Sequence, residues 1–182
     1  PEAIRRAIRA GVKSIEHGQL IDEPTMKLIA EKGVWLSMQP FIGEGNNHYT
    51  NPVQQAKHEL VVQGTDRAYQ LAKKYGVKLA WGTDLLFSPA NARNQNLNIE
   101  KMTRWFSNFE ILKMITHDNA ELLALSGRRN PYPGKLGVIE EGALADLIVV
   151  DGNALEDIKV LTDPGKNMLL IMKDGKIYKN DL

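Results

Sequence analysis

Residues 12–38 read VKSIEHGQLIDEPTMKLIAEKGVWLSM, and their period changes twice. Val12 to Glu16 reads as a short strand that delivers His17-Gly18. Asp22 and Pro24 are a helix-start signal, and Met26, Ile29 and Ala30 then share one helical face. Gly33 stops that helix. Val34-Trp35-Leu36-Ser37-Met38 is rich in β formers and reads as a second strand. Strands separated by helices of this size make β–α units, and β–α units make a parallel sheet.

The same alternation extends both ways. Upstream, Pro1 and Glu2 suit a first helical turn, Ile4, Ala7 and Ile8 form an apolar stripe, and Gly11 ends it. A chain that opens on Pro inside a helix reads as the tail of something longer. Downstream, the polar stretch Gln39 to Asn51 precedes Asn51-Pro52, an N-cap and first turn. The helix it starts carries Val53, Ala56, Leu60, Val61, Ala68, Leu71 and Ala72 and stops at Gly76, with Gly64 a candidate interruption. Val77 to Trp81 is a third strand, ended by Gly82-Thr83-Asp84. All three strands are short and largely apolar, as when both faces of a sheet are covered.

Beyond Asp84 the pattern changes. Leu85 to Asn98 reads as a second polar loop, and helical pieces run on to Leu125. Ser107 and Glu110 form a capping box, and Thr116 is a candidate cap for the last piece. Pro131 to Gly134 is a linker or turn. From Leu136 onward the pattern is β. Leu147-Ile148-Val149-Val150 is an apolar run, and Lys173-Asp174-Gly175-Lys176 between Leu169–Met172 and Ile177-Tyr178 is a hairpin signal.

Composition narrows the class. The 182 residues carry 23 Lys+Arg and 22 Asp+Glu, a net charge of +1, so no basic block points to nucleic acid. With no cysteine there is no disulfide, thiolate metal site or cysteine nucleophile. No apolar run approaches the ~20 residues of a membrane span. The compartment stays open, with the cytoplasm slightly favoured.

Two residues stand at matching places. His17 follows the first strand and Asp84 the third, so both open at the carboxyl edge of a parallel sheet, where α/β active sites are built. A neutral imidazole and a carboxylate are usual ligands of a catalytic zinc, and a carboxylate beside metal-bound water also serves as a general base. Each residue alone has a plainer reading, a hydrogen-bonded loop histidine and a turn or cap aspartate. His58 and His117 read as solvated side chains. His48, in the Gln39–Asn51 loop, is a candidate substrate contact. Arg93 is another, because Arg holds carboxylates bidentately.

Ser14-Ile15-Glu16-His17-Gly18, Gly82-Thr83-Asp84 and Gly137-Val138-Ile139-Glu140-Glu141-Gly142-Ala143-Leu144-Ala145-Asp146-Leu147-Ile148-Val149-Val150-Asp151 resemble the metal-dependent amidohydrolase superfamily. The nearest branch is similar to imidazolonepropionase-like and Xaa-Pro or Xaa-Arg dipeptidase-like enzymes. Asn119-Ala120-Glu121-Leu122-Leu123, followed by Leu125-Ser126-Gly127, fits the helix before the family's small β-sandwich. The resemblance covers nearly the whole chain. It implies an α/β fold: the C-terminal part of a (β/α)₈ TIM barrel, about three β–α units of the eight, over residues 1–127, and part of a β-sandwich over residues 128–182. It makes His17 the metal ligand after the sixth barrel strand, and Asp84 the ligand and proton shuttle after the eighth. The implied cofactor is a divalent metal, zinc, as one or two ions. Metal-activated hydroxide would attack an amide carbonyl, and Asp84 would pass the water proton to the leaving nitrogen.

The family's other ligands, a His-x-His pair, a carboxylated lysine or acidic residue and a further His, would lie upstream of Pro1. The expected partners are therefore a small amide or dipeptide substrate, the missing N-terminal part of the same protein or a second copy, and neither nucleic acid nor membrane. The isolated 182 residues are expected to be inactive. Two alternatives stay open: a truncated, non-catalytic barrel that self-associates, and a doubly wound binding module without metal. A barrel cut to three strands should also expose its inner face. Val12, Ser14, Val34, Leu36, Val77 and Leu79, or their alternate neighbours, would then meet water.

Overall fold

The computed structural model describes residues 1–43, 49–85 and 89–182. The chain divides into two compact units, Pro1–Gly82 and Thr83–Leu182.

The first unit runs α1 (Glu2–Arg9), β1 (Ser14–Glu16), α2 (Glu23–Lys32), β2 (Trp35–Met38), α3 (Pro52–Tyr75) and β3 (Leu79–Trp81). The strands form one parallel sheet in the order β1-β2-β3, with Leu36 opposite Ile15 on one side and Leu79 on the other. The helix ends are made locally, by the residues that signal them. Asp22 accepts the Thr25 amide at 3.0 Å, Asn51 accepts that of Val53 at 2.9 Å, and Gly33 and Gly76 close their helices at φ 61° and 62°. Gly64 does not interrupt α3, which is continuous over 24 residues.

The exposure expected along the sheet is not found. Val34, Leu36, Val77 and Leu79 are 3, 0, 8 and 8% exposed, and their alternate neighbours Trp35 and Ala80 are 5 and 1%. Of the six residues named, Val12 is the exposed one and Ser14 is half-buried. β2 has a strand on each side and both of its faces covered within this chain, so period-2 alternation assigns it no wet face.

An ion pair joins the start of α2 to the end of α3. The Glu23 carboxylate accepts from Lys74 Nζ at 2.8 Å and from the Tyr75 hydroxyl. The Lys74 hydrogen bond, then that of Tyr75, hold its pKa at about 2, below the ordinary 4.5. A depressed carboxylate contributes stability above its unfolded pKa and loses it as the pH falls through the folded value. Glu23→Gln should therefore be less stable than wild type near neutral pH, with the gap closing between 4.5 and about 2. Urea midpoints across that window test this, and a gap independent of pH would refute it.

The second unit begins with α4 (Pro89–Ala92), α5 (Leu97–Lys101) and α6 (Asn108–Lys113), a π-helical turn over Met114–Asp118 and α7 (Asn119–Ala124). The stretch expected as a polar loop, Leu85–Asn98, thus holds a helix and the start of another. Residues 86–88 lie outside the described residues. Ile99 is buried and Asn96 donates to the Leu161 carbonyl at 2.8 Å, so contacts distant in sequence order this segment. The Ser107–Glu110 capping box is present. Thr116 is not a cap: it sits inside the π turn, and its hydroxyl donates to the Leu112 carbonyl at 2.6 Å.

β4 (Leu147–Val150), α8 (Pro164–Asn167), β5 (Met168–Lys173) and β6 (Lys176–Asn180) complete the unit, the strands forming an antiparallel sheet in the order β4-β5-β6. Asp174 and Gly175, at φ 49° and 74°, make the hairpin turn. Asp146 Oδ1 accepts the Asp174 amide at 2.6 Å, which gives the aspartate in the Ala145-Asp146-Leu147 motif a job. Gly137 has one too: a Cβ there would stand 2.7 Å from the Thr116 carbonyl oxygen. Among the described residues, no helix is long and apolar enough to cross a membrane.

Candidate active site

β1 ends one residue before His17, whose backbone N–H still donates to the Ser37 carbonyl at 2.8 Å. The next step leaves the ladder, and His17 takes φ 69°. Asp84, three residues past β3, takes φ 53°. Among the described non-glycine residues, Asp174 alone shares this left-handed backbone. The hairpin turn accounts for Asp174. The other two lie just past strands, each held at a cost of ~1–3 kcal/mol. Strain of this kind clusters where a side chain must be aimed.

The His17 ring is aimed by an amide. Its Nδ1 lies 2.8 Å from Gln39 Oε1, and the same oxygen accepts from Gln19 Nε2 at 3.3 Å. An amide oxygen can only accept, so with the Gln39 amide in this orientation Nδ1 is the donor, which in a neutral ring assigns the lone pair to Nε2. That is the tautomer a metal ligand needs, fixed by the bond the other nitrogen makes. Gln19 and Gln39 are both 6% exposed, so each amide has to find its partners inside the protein. The turn itself is packed down. A Cβ on Gly18, at φ 80°, would stand 2.7 Å from Leu36 Cδ1 and 2.8 Å from Ile21 Cδ1.

The structure therefore brings Gln19 and Gln39 to His17. β3, which ends three residues before Asp84, is separated from β1 by β2 in the sheet. Asp84 is exposed. Arg93 is exposed just past α4, and His48 lies outside the described residues. Sequence reading missed Gln39, although it follows β2 directly and the strand-end rule that singled out His17 applies to it equally.

Two residues past Gln39 the chain enters a cleft of about 390 Å³, lined by Phe41, Tyr49, Gln54, Lys57, His58 and Val61. His58, expected as a solvated side chain, is half-buried there, its ring 5.3 Å from that of Tyr49. His117 is not simply solvated either. Its Nδ1 lies 2.9 Å from Asp118 Oδ1 and its Nε2 3.9 Å from Glu121 Oε1. These three side chains could hold a cation, but Lys113 already pairs with the Asp118 carboxylate.

Comparison with known proteins agrees with this architecture. The profile of the amidohydrolase family matches residues 1–178. An ochratoxinase of Aspergillus niger is 33% identical over 180 residues, 97% of this chain and 36% of that protein. A crystal structure described as an amidohydrolase superposes with a TM-score of 0.84 at 35% identity, covering all of this chain and 43% of that one. A prolidase complexed with N-methylphosphonate-L-proline superposes with a TM-score of 0.82 at 33% identity, over 98% of this chain and 43% of that one. The chain thus spans well under half the length of the proteins it matches. The profile covers nearly every residue, and the chain belongs to the amidohydrolase family.

Proposed function

We propose that the protein is a metal-dependent hydrolase of C–N bonds in an amide, cyclic amide or dipeptide, and that this chain carries His17 and Asp84 of its site. The observation that carries the reading is the left-handed backbone at both residues, each just past a strand of one parallel sheet. Family membership supports it, as do relatives named for hydrolytic activities, an ochratoxinase and a prolidase. The architecture we propose with it is three β–α units of a TIM barrel over residues 1–127 and a sandwich segment over residues 128–182.

The donor chemistry fits a zinc-class ion. Imidazole nitrogen and carboxylate oxygen are its ligands, and the Gln39 acceptor sets the tautomer that presents Nε2. When bound, a divalent ion lowers the pKa of water and polarises a carbonyl. His17 would hold the ion through Nε2. Asp84 accepts the proton of the attacking water and returns it to the leaving nitrogen. His48 and Arg93 are the substrate contacts of this reading. Three protein ligands are usual for a catalytic zinc, and His17 and Asp84 are two. The others are proposed to come from polypeptide outside residues 1–182, in the same chain or a second copy.

Metal content and turnover test this together. The complete gene product should release amine from an N-acyl amino acid or dipeptide panel, lose that activity to a chelator and regain it with zinc. His17→Asn keeps a residue that tolerates left-handed backbone but removes the imidazole. It should lose both metal and rate. The 182 residues alone should not retain stoichiometric zinc through dialysis against a weak chelator. Amide hydrolysis indifferent to chelation, or His17→Asn with wild-type metal content, would overturn the reading.

A further inference from the structure

We infer that Gly64 is a positioning residue for His17, acting through Gln19 and Gln39. The inference rests on the His17 reading above and extends it to the helix behind the site. Gly64 lies in the interior of α3 and is buried. Glycine there costs the helix about 0.5–1 kcal/mol relative to alanine, so helix formation does not explain it. Space does. A Cβ on residue 64 would stand 2.2 Å from the Gln19 carbonyl oxygen, 3.0 Å from its carbon and 3.2 Å from Leu20 Cδ2. The nearest of these atoms is backbone, so no side-chain rotation relieves the clash. Either α3 or the turn after His17 has to move.

The contact is steric. The neighbouring Thr65 is buried, but its hydroxyl is satisfied within α3, donating to the Val61 carbonyl at 2.8 Å. The face of α3 at Gly64 therefore sets how deep the Gln19 backbone sits. Gln19 Nε2 reaches Gln39 Oε1 at 3.3 Å, which keeps that oxygen turned toward His17 Nδ1 at 2.8 Å. Were Gln39 to turn its amide nitrogen to the ring instead, Nδ1 would become the acceptor and the proton would move to Nε2. A glycine in a helix thus decides which nitrogen of a histidine three contacts away carries the lone pair.

The test reads the tautomer directly and needs no metal. Imidazole ¹⁵N spectra of the full chain, histidine-labelled and taken in the solid state, are recorded at about pH 8.5, two units above the ordinary histidine value. The His17 signals are assigned by their loss in His17→Asn. Wild type should show His17 protonated at Nδ1. Gly64→Ala should shift it toward the Nε2-protonated form, and in the metal-loaded protein should weaken zinc affinity about 10–100-fold, the range for an outer partner of a ligand. Gln19→Met tests the same link without a backbone clash and should shift the tautomer too, even if Gly64→Ala fails to fold. Gln19→Met, or a folded Gly64→Ala, that keeps the wild-type His17 spectrum would overturn the inference, since a purely structural role lowers stability without moving the proton. A shifted tautomer in a protein that binds no metal at His17 would leave this inference standing and remove the metal reading.

Discussion

Asp84→Asn in the metal-loaded protein should lower turnover of an amide substrate by about 10²–10⁴-fold, the usual worth of a positioned acid–base group. The substitution keeps size and shape. It also keeps the backbone, because asparagine, like aspartate, accepts the left-handed conformation that residue 84 adopts at φ 53°. On the proposed reading, it would remove the group that takes a proton from water and returns it to the leaving nitrogen. The loss should fall on kcat, with circular dichroism and melting temperature near wild type, and the weaker ligand should lower metal affinity as well. Turnover within a few-fold of wild type, at saturating metal, would show that Asp84 holds no such role.

Leu36→Ala should be the most damaging of the conservative core changes, at about 2–5 kcal/mol. Leu36 is 0% exposed at the centre of β2, paired in register with Ile15 and Leu79. Its Cδ1 also stands against Gly18, so truncation opens a cavity directly under the turn that aims His17. Neighbours on both sides are strands held by backbone hydrogen bonds, which limits how far the site can collapse. Urea unfolding measures the effect as a lower midpoint at unchanged slope. A loss under about 1 kcal/mol would mean the surroundings relax to fill the cavity, against the packing described here.

Much of the fold was legible because its signals are local. Asp22, Gly33, Asn51 and Gly76 end their helices through bonds and dihedrals within a few residues of themselves. The same holds for the Ser107–Glu110 box and the Asp174-Gly175 turn. The strand-end rule led to His17 and Asp84 as candidates, and both have positive φ. The failures share the opposite property. Thr116 looks like a cap, yet α6 and α7 run through it as one helical stretch by way of the π turn. Residues 89–98 look polar and loose, yet Asn96 is held by the Leu161 carbonyl, 65 residues along the chain.

By itself the sequence determined the alternation of strands and helices as far as Trp81, the parallel sheet that follows from it and the Asp174-Gly175 hairpin, and it singled out His17 and Asp84 as candidates. Those follow from periodicity, caps and chain direction, all encoded within a few residues. Only the tertiary structure decided how His17 is oriented. Gln19 and Gln39 lie 20 residues apart and meet because β1 and β2 are adjacent. Gly64 matters because α3 crosses the Gln19 backbone with no room for a methyl group. Burial on both faces of β2 was likewise decided in three dimensions, since one strand's pattern does not say what covers it. Close approach and shared acceptors are distances between segments, and a linear sequence encodes those only through the fold.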